Sequence, residues 1–324
     1  MPDASNSIVD VAVGVLTTTD GQVLLGSRPE GKPWSGWWEM PGGKLEAGET
    51  AQQALARELF EELGITVTVD RPWVTYVHVY PSTTVRLHFR RVTGWQGEPR
   101  GLENQALKWV RIASACQLPD LLPAAYPPLN WLQLPDRYLI SSAINQDGLQ
   151  PFLQRLDDAL KQGVRLVQWR EPLWQHEGNL DQLRQAFIEV RSLCHDHDAK
   201  LMINSCHGDA LWPLADGVHF RSADAQTLSE RPPSLEGKLI AASAHNPQEL
   251  SHARLIGADF AVLGPVLTTA SHPGEPTLGW ESFERLNQDA GLPVFAIGGQ
   301  TPDTLTEAQS RGAHGIAGIR QLLG

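Results

Sequence analysis

The chain has 324 residues and a formal net charge of −11, with 37 acidic against 26 basic side chains. That length suits two domains of ordinary size, and the acidic balance excludes the basic footprint that polymeric nucleic acid calls for. A small phosphorylated ligand stays compatible with it, because a metal neutralises such a ligand locally.

The first predicted elements are a strand over 11–16, a turn at Asp20-Gly21 and a second strand over 22–25. A loop through PWSGWWEMPGG leads to a helix over 51–63. There Leu55, Leu59 and Leu63 recur every four residues and Ala51 and Ala54 share their face. Gly64 follows as a stop signal. Further strands are expected near 67–69, 74–79, 84–92 and 107–110, giving a mixed sheet with a helix laid on it, an α+β arrangement. The segment LLPAAYPPLNWL then closes a first domain, residues 1–132, and LQLPD supplies a linker at 133–136.

From 137 to 324 strand and helix alternate. Candidate strands lie at 138–142, 164–170, 200–204, 217–220, 239–243, 260–264, 293–297 and 315–319, with helical patterns such as 149–161 and 180–195. Eight β-α units in 188 residues fit a compact (β/α)8 TIM barrel. Cys116, Cys194 and Cys206 form no CxxC and no even pairing, which points to a reduced, cytoplasmic setting. The opening MPDASNS has no apolar signal core. No apolar run approaches the ~20 residues of a membrane span, so no membrane partner is expected.

The chemistry concentrates in GKLEAGETAQQALARELFEELGI, residues 43–65. Glu58, Glu61 and Glu62 stand at i, i+3 and i+4, so their carboxylates project to one side of the helix. Such exposed like-charge pairs repel by roughly 0.2–0.5 kcal/mol each. The cluster makes sense around a hard cation, and Mg²⁺ with waters and a substrate phosphate is the natural occupant.

This run resembles the Nudix box of the Nudix hydrolases at Gly43, Glu49, Arg57, Glu58, Leu59, Glu61, Glu62, Gly64 and Ile65. VAVGVL, SRP, WWEMPGGKLE and GWQGEP extend the likeness to the MutT branch, the 8-oxo-dGTP diphosphatases. The resemblance implies hydrolysis of a (d)NTP to the monophosphate and pyrophosphate, with Mg²⁺ or Mn²⁺, in the service of nucleotide-pool sanitation and DNA repair. Glu58, Glu61 and Glu62 would be metal ligands, joined by the Gly42 carbonyl and the Glu98 carboxylate. Arg57 would orient the box carboxylates, Glu49 would support the loop, and Arg28, Gly43 and Lys44 would meet substrate. Trp34, Phe89 and Trp109 are candidates for stacking surface. The family's base-reading asparagine has Ala125 at its place, with Asn130 the nearest alternative, so base selectivity stays open.

The second half is similar to the thiamine-phosphate synthase and TenI family through VQWRE, LMINS, DGVHFRSAD, ASAHN, GADFAVLGPVLTT, PVFAIGGQT and GAHGIAGI. Gln168, Arg170 and Asn204 match substrate-binding positions, and Asp224 matches a metal aspartate. Pro172 and His272 replace two lysines and Ser205 replaces the other metal aspartate. Losing charge-assisted contacts of ~1.5–3 kcal/mol each argues against synthase activity. By the TenI likeness His245 is the proton-transfer histidine, and backbone amides of Gly298, Gly299, Gly318 and Ile319 hold a phosphate. The leading expectation is a Nudix hydrolase fused to a barrel without synthase activity. Alternatives are hydrolysis of a thiamine-pathway diphosphate beside a thiazole-phosphate tautomerase or ligand-binding barrel, and a barrel serving only for binding or dimerisation, a homodimer included.

Overall fold

The computed structural model describes residues 8–177, 180–269, 274 and 276–323. The chain divides into two compact units, one ending at Leu134 and the other starting at Pro135.

In the first unit β1 (Val9–Leu16), β4 (Gly42–Lys44), β5 (Thr66–Tyr80) and β6 (Thr83–Gln96) form a four-stranded sheet in the order β4-β1-β6-β5. β1 runs parallel to β6 and antiparallel to β4. β2 (Gln22–Ser27), β3 (Trp38–Glu39) and β7 (Leu107–Arg111) form a smaller sheet with β2 central. The strands expected at 67–69 and 74–79 are one strand, β5, whose register against β6 shifts on either side of Pro72. Proline donates no ladder hydrogen bond, and the edge position of β5 accommodates that.

Helix α1 (Ala51–Leu63) has the bounds that the leucine spacing predicts. A capping box opens it: Gln53 N–H donates to Thr50 Oγ1, and Thr50 N–H donates to Gln53 Oε1. Gly64, at φ 67°, closes it in the left-handed conformation and donates to the Leu59 and Phe60 carbonyls. Ala54, Leu55, Leu59 and Leu63 pack on Ala12, Leu16, Leu24 and Val92. Burying each leucine contributes about 1.5–3 kcal/mol, which fixes the helix by its apolar face and leaves the acidic face outward. Short helices α2 (Ile112–Ala115) and α3 (Tyr126–Trp131) close the unit.

The second unit is a closed barrel of eight parallel strands. They are β8 (Arg137–Ile140), β9 (Leu166–Trp169), β10 (Lys200–Asn204), β11 (Gly217–Phe220), β12 (Leu239–Ala244), β13 (Phe260–Leu263), β14 (Val294–Ile297) and β15 (Gly315–Gly318). Among the described residues the outer layer holds α4 (Gln146–Lys161), α5 (Pro172–Glu177), α6 (Leu180–Asp196), α7 (Ser222–Ala225), α8 (Pro247–Leu255), α9 (Gly279–Asn287) and α10 (Leu305–Ser310). The expected repeat of eight β-α units fails at two places among the described residues: two 3₁₀ turns, Ser205–His207 and Trp212–Leu214, replace a helix after β10, and a 3₁₀ turn, Arg320–Leu322, follows β15. No described helix is long and apolar enough to cross a membrane.

Strand alternation sends Leu139, Val167, Leu201, Val218 and Ile240 into the core beneath the helices. The opposite set fills the barrel. Tyr138, Phe260 and Phe295 pack there edge-to-face or tilted, with ring centroids 5.0–6.0 Å apart. A buried polar chain runs beside them: Asn204 Nδ2 donates to Gln168 Oε1 at 2.8 Å, and Gln168 Nε2 donates to the Tyr138 hydroxyl at 2.9 Å. Tyr138 meets His219 Nδ1 at 3.1 Å, and His219 Nε2 meets Ser243 Oγ at 2.8 Å. Neutral imidazole satisfies this chain, accepting a hydrogen bond from the tyrosine hydroxyl at Nδ1 and donating from Nε2.

Burial pushes His219 down to about 3 and His207 down to about 4, with the Arg170 charge adding to both. The unfolded chain takes up protons at these histidines below about pH 6.5, and the folded barrel does not. Stability is therefore complete above that pH and falls as pH drops toward 4, by up to about 1.4 kcal/mol per pH unit and group. Urea unfolding of the full chain between pH 7 and pH 4.5 is expected to show this fall, with a flatter profile in His219→Gln. A pH profile identical in wild type and His219→Gln would contradict a buried neutral imidazole at 219.

Candidate active site

The acidic face of α1 is organised by Arg57. Its Nε and Nη2 fork Glu49 at 2.9 Å each, and Nη1 meets Glu58 Oε1 at 2.9 Å and Glu61 Oε2 at 3.2 Å. Nη2 also donates to the Lys44 carbonyl at 3.1 Å. All five guanidinium donors are thus engaged. These bonds, with the Glu46 N–H, hold Glu49 down at about 2. Gly43 lies so close that an added Cβ would fall 2.1–2.4 Å from the Glu58 carboxyl group. A glycine is needed there because that carboxylate fills the space of a side chain.

Beyond this knot a cleft of about 750 Å³ opens, lined by Glu58, Glu62, Glu39, Glu103, Arg28 and Lys44 among others. Glu62 is pushed up to about 7, by burial first and then by the negative charges of Glu103 and Glu58; the Gly42 N–H, which donates to it, works in the opposite direction. Gly42 thus contributes its amide to Glu62, apart from the ligand role that the resemblance gives its carbonyl. Glu61 stands at the edge, its side chain 56% exposed and tied to Arg57.

Glu98 requires a correction. Its side chain is 78% exposed, pairs with Arg100 at 3.0 Å, and does not line the cleft. Glu103, five residues on, does. The loop carrying it is stitched to the end of α1: Leu102 N–H and Gln105 Nε2 donate to the Glu62 carbonyl at 2.9 and 3.0 Å, and Arg100 N–H donates to the Leu63 carbonyl. GEPRGLENQ offers two glutamates, and only the fold of that loop selects between them.

Arg28 lines the cleft with Nη1 on both Glu39 oxygens, at 2.9 and 3.0 Å, and Nε on the Pro33 carbonyl. Burial holds Glu39 above the usual carboxylate range despite this partner. Ala125, Trp34 and Phe89 also line the cleft, but Asn130 does not, its carboxamide accepting from the Cys116 thiol at 3.2 Å. Trp109 stacks on Trp95 instead.

Among the described residues no three His, Cys, Asp or Glu side chains already form a metal cage. The donor set nevertheless fits a hard divalent cation. Glu58, Glu62 and Glu103 are oxygen donors on one cleft wall, and the charges of Glu103 and Glu58 add to the burial that raises Glu62.

At the barrel mouth, Gln168 and Asn204 are buried in the polar chain described above, whereas Arg170 is exposed beyond the end of β9. His245, past β12, is half-exposed, and its N–H and Nδ1 both meet Glu249 Oε2, at 2.8 and 2.9 Å. Gly298 and Gly299 have φ of 96° and 65°, and a Cβ on either would fall 2.7 Å from Pro265 or Leu267. Gly318 ends β15, and Ile319 follows it. His272 lies outside the described residues.

A mixed sheet carrying an acid-lined cleft defines a Nudix-type hydrolase domain, and the closed parallel barrel is of the thiamine-phosphate-synthase class. Family profiles agree: the NUDIX domain matches residues 9–132, and thiamine monophosphate synthase matches residues 137–322. The chain therefore belongs to the Nudix family through its first unit and to the thiamine monophosphate synthase family through its second.

The 8-oxo-dGTP diphosphatase of Haemophilus influenzae is 41% identical over 103 residues, 32% of this chain and 76% of that protein. The putative thiamine-phosphate synthase 2 of Aquifex aeolicus is 32% identical over 194 residues, 59% of this chain and 100% of that protein. A solved MutT, from work on Aliivibrio salmonicida and Vibrio cholerae, is 34% identical, covers 39% of this chain and 97% of its own, and has a TM-score of 0.34. The chain spans about half the length of several other thiamine-phosphate synthases it matches.

Replacing Glu103 by glutamine is expected to weaken Mn²⁺ binding in the cleft by about tenfold, the loss of roughly 1.4 kcal/mol, read by electron paramagnetic resonance titration. Glu98→Gln is expected to leave it unchanged. The reverse pattern would return the ligand role to Glu98.

Proposed function

We propose that the first unit is a Mg²⁺-dependent nucleoside triphosphate pyrophosphohydrolase of the MutT type, converting a (d)NTP to the monophosphate and pyrophosphate. The observation that carries this is the meeting of Glu58, Glu62 and Glu103 on one cleft, with Glu58 held by Arg57. Glu58, Glu62 and Glu103 would hold the ion, with Glu61 at the rim. When bound, Mg²⁺ offsets charge on the phosphoanhydride and makes a bound water more acidic.

The protein's own part is positioning. Arg57 fixes the rotamers of Glu49, Glu58 and Glu61, so little reorganisation is left for the reaction. Gly43 lets the backbone approach the carboxylates, and Lys44, on the cleft wall, adds positive charge for a phosphate chain.

For the base, 8-oxo-dGTP is the first substrate to test, by likeness to the Haemophilus influenzae diphosphatase. Ala125 on the cleft wall favours a second reading, a different base or a thiamine-pathway diphosphate, because its methyl group neither donates nor accepts a hydrogen bond. For the second unit we propose a ligand-binding barrel without synthase activity, in which His245, oriented by Glu249, is the residue for any tautomerase step.

Two measurements test the hydrolase. Glu58→Gln is expected to reduce pyrophosphate release on the order of a hundredfold or more with an unchanged circular dichroism spectrum; retained turnover would remove Glu58 from the mechanism. Ala125→Asn is expected to raise the kcat/KM ratio of 8-oxo-dGTP over dGTP. A ratio that stays put would mean this wall does not read the base.

A further inference from the structure

Among the described residues, Arg28, Lys32 and Lys44 bring positive charge to the wall of the Nudix cleft. Arg28 is spent on Glu39 and on the Pro33 carbonyl. Lys32 has a different partner: its Nζ meets Glu103 Oε2 at 3.0 Å. The contact joins the loop between β2 and β3 to the loop between β6 and β7. The Lys32 charge also reaches Glu39, which burial raises and which Arg28 and then Lys32 lower. The ammonium therefore stands within reach of two acids of the cleft.

The backbone of the Lys32 loop is pinned, but its side chain is free to turn. Arg28 N–H donates to the Trp37 carbonyl and Gly36 N–H to the Arg28 carbonyl, both at 2.9 Å, and Trp37 N–H donates to the Trp34 carbonyl at 3.0 Å. The Lys32 and Glu103 side chains are 51% and 44% exposed. An exposed pair of this kind holds weakly, and the four-carbon lysine stem swings without moving the loop. Glu103 is also the acid whose charge acts on Glu62, and both line the cleft. A divalent ion that takes Glu103 as a ligand sets two positive charges beside the ammonium on one carboxylate, and the two cations repel.

We infer that Lys32 is a positioning residue exchanged between two anions: it holds Glu103 while the cleft is free of metal, and a divalent ion on Glu103 releases it to the phosphate chain of the nucleotide. The ammonium suits the second role, because a point charge with three donors meets phosphate oxygens in many orientations. Metal and nucleotide are then coupled through one lysine. The ion frees Lys32 for the nucleotide, and the nucleotide, by drawing Lys32 away, leaves Glu103 open to the ion. Linkage makes the two effects equal in size. The inference rests on the reading of the cleft as a metal-dependent nucleotide site with Glu103 among the ligands.

Two titrations of the full chain test it. In the first, Mn²⁺ binding without nucleotide is followed by electron paramagnetic resonance. Lys32→Gln is expected to tighten Mn²⁺ about two- to fivefold, the scale of an exposed ion pair, and to change nothing in a Glu103→Gln background, where the partner is already gone. The second is isothermal titration with the α,β-methylene analogue of dGTP. Lys32→Gln is expected to weaken it about fivefold or more with Mg²⁺ present and to leave the weaker binding in EDTA unchanged. Lys32→Arg, which keeps the charge, is expected to retain most of the affinity, and circular dichroism melting checks folding. An equal gain in Mn²⁺ affinity with and without Glu103, a loss of Mn²⁺ affinity in Lys32→Gln, or an equal loss of analogue binding in EDTA would overturn the exchange. Each leaves the hydrolase standing as long as Glu58→Gln and Glu103→Gln weaken Mn²⁺. Mn²⁺ binding that neither of those two substitutions weakens would overturn the metal site and the exchange together.

Discussion

The first unit depends on one guanidinium. Three glutamates on one face of α1 repel each other, and a helix built that way would gain from splaying its side chains into solvent. Arg57 prevents this by using all five of its donors on Glu49, Glu58, Glu61 and the Lys44 carbonyl. The same bonds tie the helix to the glycine loop before it, so the carboxylates and the loop backbone share one rigid piece. A lysine would carry the charge but could not form the planar fork on Glu49.

The two units treat charge in opposite ways. In the cleft, carboxylates outnumber their partners, and Glu62 is held up near 7 by burial and by its acidic neighbours. Such a site gains from a cation. At the barrel mouth each acid is matched inside the protein, by Ser141 and two amides, by Arg221 and Ser205, or by His245.

Much of the fold was legible because its pattern is local. The four-residue leucine spacing placed α1, and short apolar runs placed all eight barrel strands within a few residues. Where long-range pairing decides, the local pattern misled. Separate strands were expected at 67–69 and 74–79, yet β6 holds the chain extended from Thr66 to Tyr80. After β10 the eightfold expectation called for a helix, and two 3₁₀ turns stand there.

The sequence alone determined the chemistry that spacing can carry: an acidic helix face with an arginine inside it and a glycine loop before it. Helical geometry turns offsets of three and four residues into one face, so no tertiary contact is needed to read them. Only the tertiary structure decided which loop glutamate joins that face, choosing Glu103 over Glu98 through hydrogen bonds to the last turn of α1. It likewise decided that Asp224 accepts from Ser205, since the ends of β10 and β11 meet only once those two strands have paired.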